Sequence, residues 1–191
     1  MNPFEFINIF LALVYSLALT HLLFAWTRMI RRRRQLVLSW PHLLWMLIGF
    51  FNLGVNWLSS WDYRTLGRLS LLVISSEFLF VVLNYFFCAL VSPDFEAGET
   101  HDLQRFHECE SPTYILVFVA IVAIAIIENF AAGARLGMTK EGAENALVVF
   151  QLPLALLPMF VKRSWAQVAA PAALLISVIA YAVLFYPMLT K

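Results

Sequence analysis

The chain has 191 residues, of which 62% are hydrophobic and only 13% charged, with a mean hydropathy of +0.80 and a net charge of +1. Soluble domains carry roughly a quarter charged residues, so this composition cannot coat a globule with polar surface and excludes a water-soluble protein. With 7 Gly, 8 Pro and 2 Cys, collagen-like repeats and a disulfide scaffold are excluded as well, and the near-zero net charge gives no basic field for nucleic acid. What remains is an all-α, polytopic transmembrane helical bundle forming a single domain over residues 1–191.

A membrane-crossing helix needs about 20 mostly apolar residues. Six stretches qualify, at about 6–27, 40–58, 69–91, 112–130, 145–161 and 166–187. The first ends in the run Arg31, Arg32, Arg33, Arg34. Ser39 ahead of Trp40-Pro41, and Ser111 ahead of Pro112, read as N-caps with proline in the first helical turn. The fifth stretch holds Gln151, Pro153 and Pro158, which predicts a kink or break; if it is re-entrant, the count falls to five. Trp26, Trp40, Trp57, Trp61 and Trp165 fall near span ends, as an aromatic belt requires.

Basic residues set the expected direction. The loops at about 28–39, 92–111 and 162–165 hold eight of the 13 Lys and Arg, and five of those eight directly follow the first span. These loops are therefore expected in the cytoplasm, with both termini outside it. The N-terminal region has Glu5 and no basic stretch or small-residue cleavage site, so the first span is expected to remain as an anchor. Cys88 and Cys109 then lie on the reducing side, where a disulfide is not expected.

Polar residues inside the spans face protein or a water-filled cavity. In span three, Ser70, Glu77, Asn84 and Cys88 share one helical face. Glu77 is the one carboxylate expected deep in hydrocarbon, where it must be protonated or held by a donor. Span two offers Asn52 and Asn56. Depth arithmetic at 1.5 Å per residue, with a short loop between spans two and three, brings Asn52 level with Glu77 and His21 level with Asn84. Ala12, Ser16 and Thr20 in span one, and Ala169, Ala173 and Ser177 in span six, form small-residue stripes expected inside helix interfaces. Glu128 and Asn129 read as snorkelling residues at the end of span four.

Residues 92–111 carry six acids and one arginine. They are expected either to clasp Arg31, Arg32, Arg33 and Arg34 or to leave those arginines to anionic lipid headgroups, which is the favoured role. Residues near Asp102, Arg105 and His107 are expected to form a short surface helix packing Leu103 and Phe106 inward. His101, His107 and Cys109 are weak candidates for metal ligands, because their spacing matches no zinc pattern; no metal or other cofactor is expected. Nucleophile and metalloprotease motifs are absent from the sequence.

The segments Leu17-Ala18-Leu19-Thr20-His21-Leu22-Leu23 with the arginine run, Trp40-Pro41-His42-Leu43-Leu44-Trp45, and Ser92-Pro93-Asp94-Phe95 followed by Asp102-Leu103 and Phe106-His107 together resemble a family of small uncharacterised bacterial multipass membrane proteins. The resemblance covers about the first 110 residues. It implies a bacterial cytoplasmic (inner) membrane and carries no assigned activity.

Three functions follow in order of preference. The first is a small-solute or ion pathway, proton-coupled or cationic, lined by Glu77, Asn52, Asn56, Asn84 and His21. The second is a non-catalytic membrane subunit or scaffold that docks partner chains. A lipid- or quinone-acting enzyme comes last, since no catalytic set is visible. Six helices enclose little space, so a homo-oligomer or membrane partner subunits are expected in either of the first two cases.

Overall fold

The computed structural model describes residues 3–61, 71–94, 101–136 and 142–186. It contains six helices: α1 (Pro3–Arg31), α2 (Trp40–Ser59), α3 (Leu71–Val91), α4 (Leu103–Leu136), α5 (Gly142–Phe160) and α6 (Ser164–Phe185). Each is long and apolar enough to cross a bilayer, and the chain is an integral membrane protein of six spans. Successive helices alternate in direction. One end of the bundle therefore gathers the C-terminus of α1 with Arg31–Arg34, the N-termini of α2, α4 and α6, and the C-termini of α3 and α5. This is the arginine end of the bundle.

The termini carry charges that suit the helix dipole: Glu5 lies in the first turn of α1, and Arg28 and Arg31 in its last. Hydroxyls within α1 are satisfied locally, Ser16 donating to the Ala12 carbonyl and Thr20 to the Ser16 carbonyl, both at 2.7 Å. Prolines are accommodated inside α4, α5 and α6. The fifth span is accordingly one helix through Pro153 and Pro158, neither broken nor re-entrant.

α4 corrects two expectations. It starts nine residues ahead of Pro112 and runs for 34 residues, so the surface helix foreseen near residue 102 is the first turns of the span itself. The cap is Asp102, whose Oδ1 accepts from the backbone N–H of Gln104 (2.8 Å) and of Arg105 (3.1 Å). Ser111 and Pro112 are interior. Proline deprives the Glu108 carbonyl of its helical donor, but Glu108 and Pro112 are both exposed, so that carbonyl sits on the outward face. Ser39 does occupy the N-cap position of α2, in an extended conformation, yet makes no side-chain cap bond. Its hydroxyl donates to Gln104 Oε1 at 2.9 Å instead.

The two long connections at the arginine end also meet through backbone. After a single 3₁₀ turn at Arg33–Gln35, strand β1 (Leu36–Val37) pairs in parallel with strand β2 (His101–Asp102). The clasp between these loops is therefore built on main-chain pairing.

α2 is the most enclosed of the six helices. It packs against α6, α3, α1 and α4, while α1 leans mainly on α3, and α4, α5 and α6 follow in sequence. The centre is an aromatic stack: Trp45 of α2 meets Phe87 of α3 and Tyr114 and Phe118 of α4, with centroids 5.7–6.3 Å apart. All four rings are fully buried. Trp45 is thus fully buried, whereas Trp40, Trp57, Trp61 and Trp165 are exposed near helix ends and Trp26 is half-buried against Phe50. Gly49 lies one turn further on; a Cβ there would stand 3.1 Å from Phe87 Cε1 and 3.4 Å from Leu22 Cδ1, so side chains of α1 and α3 pack against α2 at a residue with no side chain.

The small-residue stripes behave differently. Ser177 of α6 is buried against Gln151 of α5, whereas Ser16 and Thr20 of α1, together with Ala169 of α6, are exposed. The hydroxyls of the α1 stripe lie off the packed face, with Ala12 half-buried beside the cleft between α1 and α2, because α1 is held through Leu11, Tyr15, Ala18, Leu22 and Ala25.

Candidate functional site

The polar groups of the interior form three layers. The middle layer is an asparagine cluster between α2 and α3. Asn52 Nδ2 and Asn56 Nδ2, one turn apart on α2, both donate to Asn84 Oδ1, at 2.9 and 3.0 Å. Asn84 Nδ2 donates to the Phe80 carbonyl at 2.9 Å, which fixes which atom of the amide faces α2. Asn84 is completely buried and Asn52 nearly so. Beside this layer His21 Nε2 meets the Tyr85 hydroxyl at 3.2 Å, the rings edge to face.

The partners differ from those expected by depth. Asn52 bonds Asn84, not Glu77, and His21 bonds Tyr85, not Asn84. The error is one of axial register. The residue of α3 that meets Asn52 lies seven positions beyond Glu77, about 10 Å along the helix. Seven residues are two helical turns, which keeps the same face toward α2.

The second layer lies towards the end opposite the arginines and holds three carboxylates. Glu77, half-buried, is seven residues from Asn84, about 10 Å along the α3 axis. The Tyr15 hydroxyl of α1 is within electrostatic reach of both Glu77 on α3 and Glu128 on α4. Glu128 is half-buried, so it turns inward and is not a snorkelling residue. Glu144, in the first turn of α5, is buried and accepts the Tyr181 hydroxyl of α6 at 2.7 Å. Among the described residues Glu77 is therefore one of three embedded acids. Glu144 was hidden in the sequence because it follows a polar, glycine-containing loop; the helical run beginning at Gly142 was its only signal.

The third layer is at the arginine end. His107 of α4, buried despite its polar neighbours, holds Tyr114 one way and Gln167 the other. Both amide hydrogens of Gln167 go to backbone, to the carbonyls of Pro158 (2.7 Å) and Val161 (2.9 Å), which close the C-terminus of α5. Gln167 Oε1 is thus the atom facing His107 Nε2, at 3.3 Å. Nε2 must then donate, and in the neutral ring Nδ1 accepts the Tyr114 hydroxyl. One side chain of α6 thereby caps α5 and fixes the tautomer of a histidine on α4. His42 of α2 lies next to this group, edge-on to Phe106 and Tyr114. Among the described residues neither of its ring nitrogens has a hydrogen-bond partner, nor does the Trp45 indole N–H one turn away. Each such buried group costs about 1–3 kcal/mol, which marks this corner of the core as polar beyond what packing requires.

The weak metal candidates are not drawn together. His107 points into the bundle and Cys109, two residues on, is exposed; the side chain of His101 lies outside the described residues, as does Ser70. Arg31, Arg33 and Arg34 are exposed, while Arg28 lies over the Phe24 ring, 4.1 Å from its centroid. Cys88 is buried beneath Asn84 on the shared face of α3.

Comparison with protein-family models, with curated proteins and with solved structures finds no match for this chain.

Proposed function

We propose that this membrane protein carries a proton-coupled or cationic pathway through its interior, with Glu77, Asn52, Asn56, Asn84 and His21 as the groups that line it. The reading is carried by the completely buried Asn84, which accepts from two amides of α2 and stands between embedded carboxylates on one side and two buried histidines on the other. Polar groups in hydrocarbon are expensive and normally serve transport or relay roles, and here they recur at three depths. Glu77, Glu128 and Tyr15 form the entry group at one end. His107 with Tyr114, and His42, form the exit group at the other, beyond the aromatic stack around Trp45. The arginine end lies in the cytoplasm of a bacterial cell, with Arg31, Arg32, Arg33 and Arg34 on anionic headgroups of the inner membrane.

The test is proton flux into proteoliposomes holding a pH-sensitive dye, driven by an imposed potassium diffusion potential. Wild-type protein is expected to conduct, and Glu77→Gln to lose at least tenfold of the rate. No wild-type flux, or equal flux in both, would remove the pathway.

A second reading rests on a separate observation. The stripe of Ala12, Ser16 and Thr20 on α1, half-buried at Ala12 and exposed at the two hydroxyls, is the kind of surface on which transmembrane helices approach closely. It supports a homo-oligomer or a docked membrane subunit, and cross-linking through cysteines placed at Ser16 in native membranes tests it.

A further inference from the structure

The two buried histidines at the arginine end are not equally held. His107 is bonded at both ring nitrogens, to Tyr114 and to Gln167. His42 is completely buried, and among the described residues neither of its nitrogens has a partner. The same holds for the indole N–H of Trp45, which is also completely buried. Three residues apart on α2, the two side chains are neighbours on one helix face. Both flank Tyr114 of α4, with centroids 6.4 and 5.9 Å from its ring, and Phe106, Phe87 and Phe118 pack around them. Polar atoms of three residues thus share one corner that is otherwise walled by aromatic hydrocarbon.

The balance of donors and acceptors selects the ligand that would satisfy them. An indole is a donor only, and a neutral imidazole carries one donor and one acceptor. Tyr114 spends its single hydrogen on His107 Nδ1, so its oxygen presents only lone pairs to anything else. An anion would suit the two N–H groups of α2 but would meet those lone pairs, and a cation would meet the N–H groups. We propose that a single water molecule is bound in this corner, accepting from the Trp45 indole and from His42 and donating to the Tyr114 oxygen. Enclosed waters make about three such bonds. His42 is the third residue of α2, so water has to pass only about one helical turn, roughly 5 Å, to reach it from the arginine end. The site deepens the pathway reading and rests on it for its role: the water joins His42 to Tyr114, His107 and Gln167, and makes the exit group one connected relay.

Magic-angle-spinning NMR of the full-length protein in lipid bilayers, with ¹⁵N in tryptophan and histidine and deuterium on carbon, reads the site directly. Magnetisation transferred from water should reach the Trp45 indole N–H at least threefold faster than the backbone amide of the same residue, which is bonded within α2. His42→Phe should be less stable than the wild type to SDS, because it takes away a partner of the water, and His42→Gln, which keeps a donor and an acceptor, should recover part of the loss. An indole that gains magnetisation no faster than its own amide would overturn the proposal. So would a His42→Phe variant more stable than the wild type, because removing truly unpaired nitrogens relieves a penalty. A shift of the Trp45 or His42 signals on exchanging chloride for bromide would assign the corner to an anion and overturn it as well. The wild-type spectrum needs no variant and decides the matter even if His42→Phe fails to fold. Fast transfer alongside flux indifferent to Glu77→Gln would defeat the pathway alone, whereas slow transfer alongside Glu77-dependent flux would defeat the water site alone.

Discussion

Asn84 offers the sharpest quantitative test of the buried network. It receives two interhelical hydrogen bonds, from Asn52 at 2.9 Å and Asn56 at 3.0 Å. Measured side-chain bonds between transmembrane helices average about 0.6 kcal/mol, with an upper value of about 1.7. Replacing Asn84 by Ala should therefore remove about 1.2 kcal/mol of bonding, plus a packing loss because the side chain is fully buried. A double-mutant cycle separates the two contributions, since packing lost on both sides of the cycle subtracts. The Asn52→Ala/Asn84→Ala and Asn56→Ala/Asn84→Ala cycles should each give a coupling of about 0.6 kcal/mol, and Asn52→Ala/Glu77→Gln a coupling near zero. Reversible unfolding by SDS in mixed micelles, followed by far-UV circular dichroism, reads these differences. A coupling of Asn52 to Glu77 larger than its coupling to Asn84, or no coupling in either asparagine cycle, would refute the register that the structure assigns to α2 and α3.

Two further outcomes follow from close packing and from capping. Gly49→Ala should destabilise by about 1–3 kcal/mol, because its Cβ would press on Phe87 and Leu22, whereas Gly54→Ala should be close to neutral; the same SDS titration compares them. Gln167→Ala should cost about 1–3 kcal/mol by stripping donors from the Pro158 and Val161 carbonyls and an acceptor from His107, and it should raise hydrogen exchange at the end of α5 and in the first turns of α4.

Much of this arrangement is legible in residue spacing. Six apolar runs give six helices, and the seven-residue interval from Glu77 to Asn84 correctly puts both on one face of α3. Periodicity fixes a face but not an axial position. The level at which two helices meet depends on the connection between them and on bulky contacts such as Gly49 against Phe87, and neither is encoded in a span boundary. That is why Asn52 met its partner two turns away from the expected one. The histidine group was hidden for a related reason. His107 sits among acids that read as a solvated loop, and only the continuation of α4 through Pro112 turns it inward. His42 and Gln167 follow span starts, where polar residues pass as interfacial, and only the tertiary packing of α2, α4 and α6 shows them buried.

The position of α2 has a consequence for biogenesis. Helix α2 is enclosed in part by α6, which is synthesised well after it. While the chain leaves the ribosome, α2 must wait in lipid or beside the insertion machinery with one of its inward sides uncovered, and the end of α5 stays uncapped until Gln167 arrives. Chains that stop ahead of Ser164 would carry both defects permanently. Arrival of α6 thus acts as a seal on the fold, and products truncated ahead of it would present a recognisable degradation signal to proteases that survey the membrane.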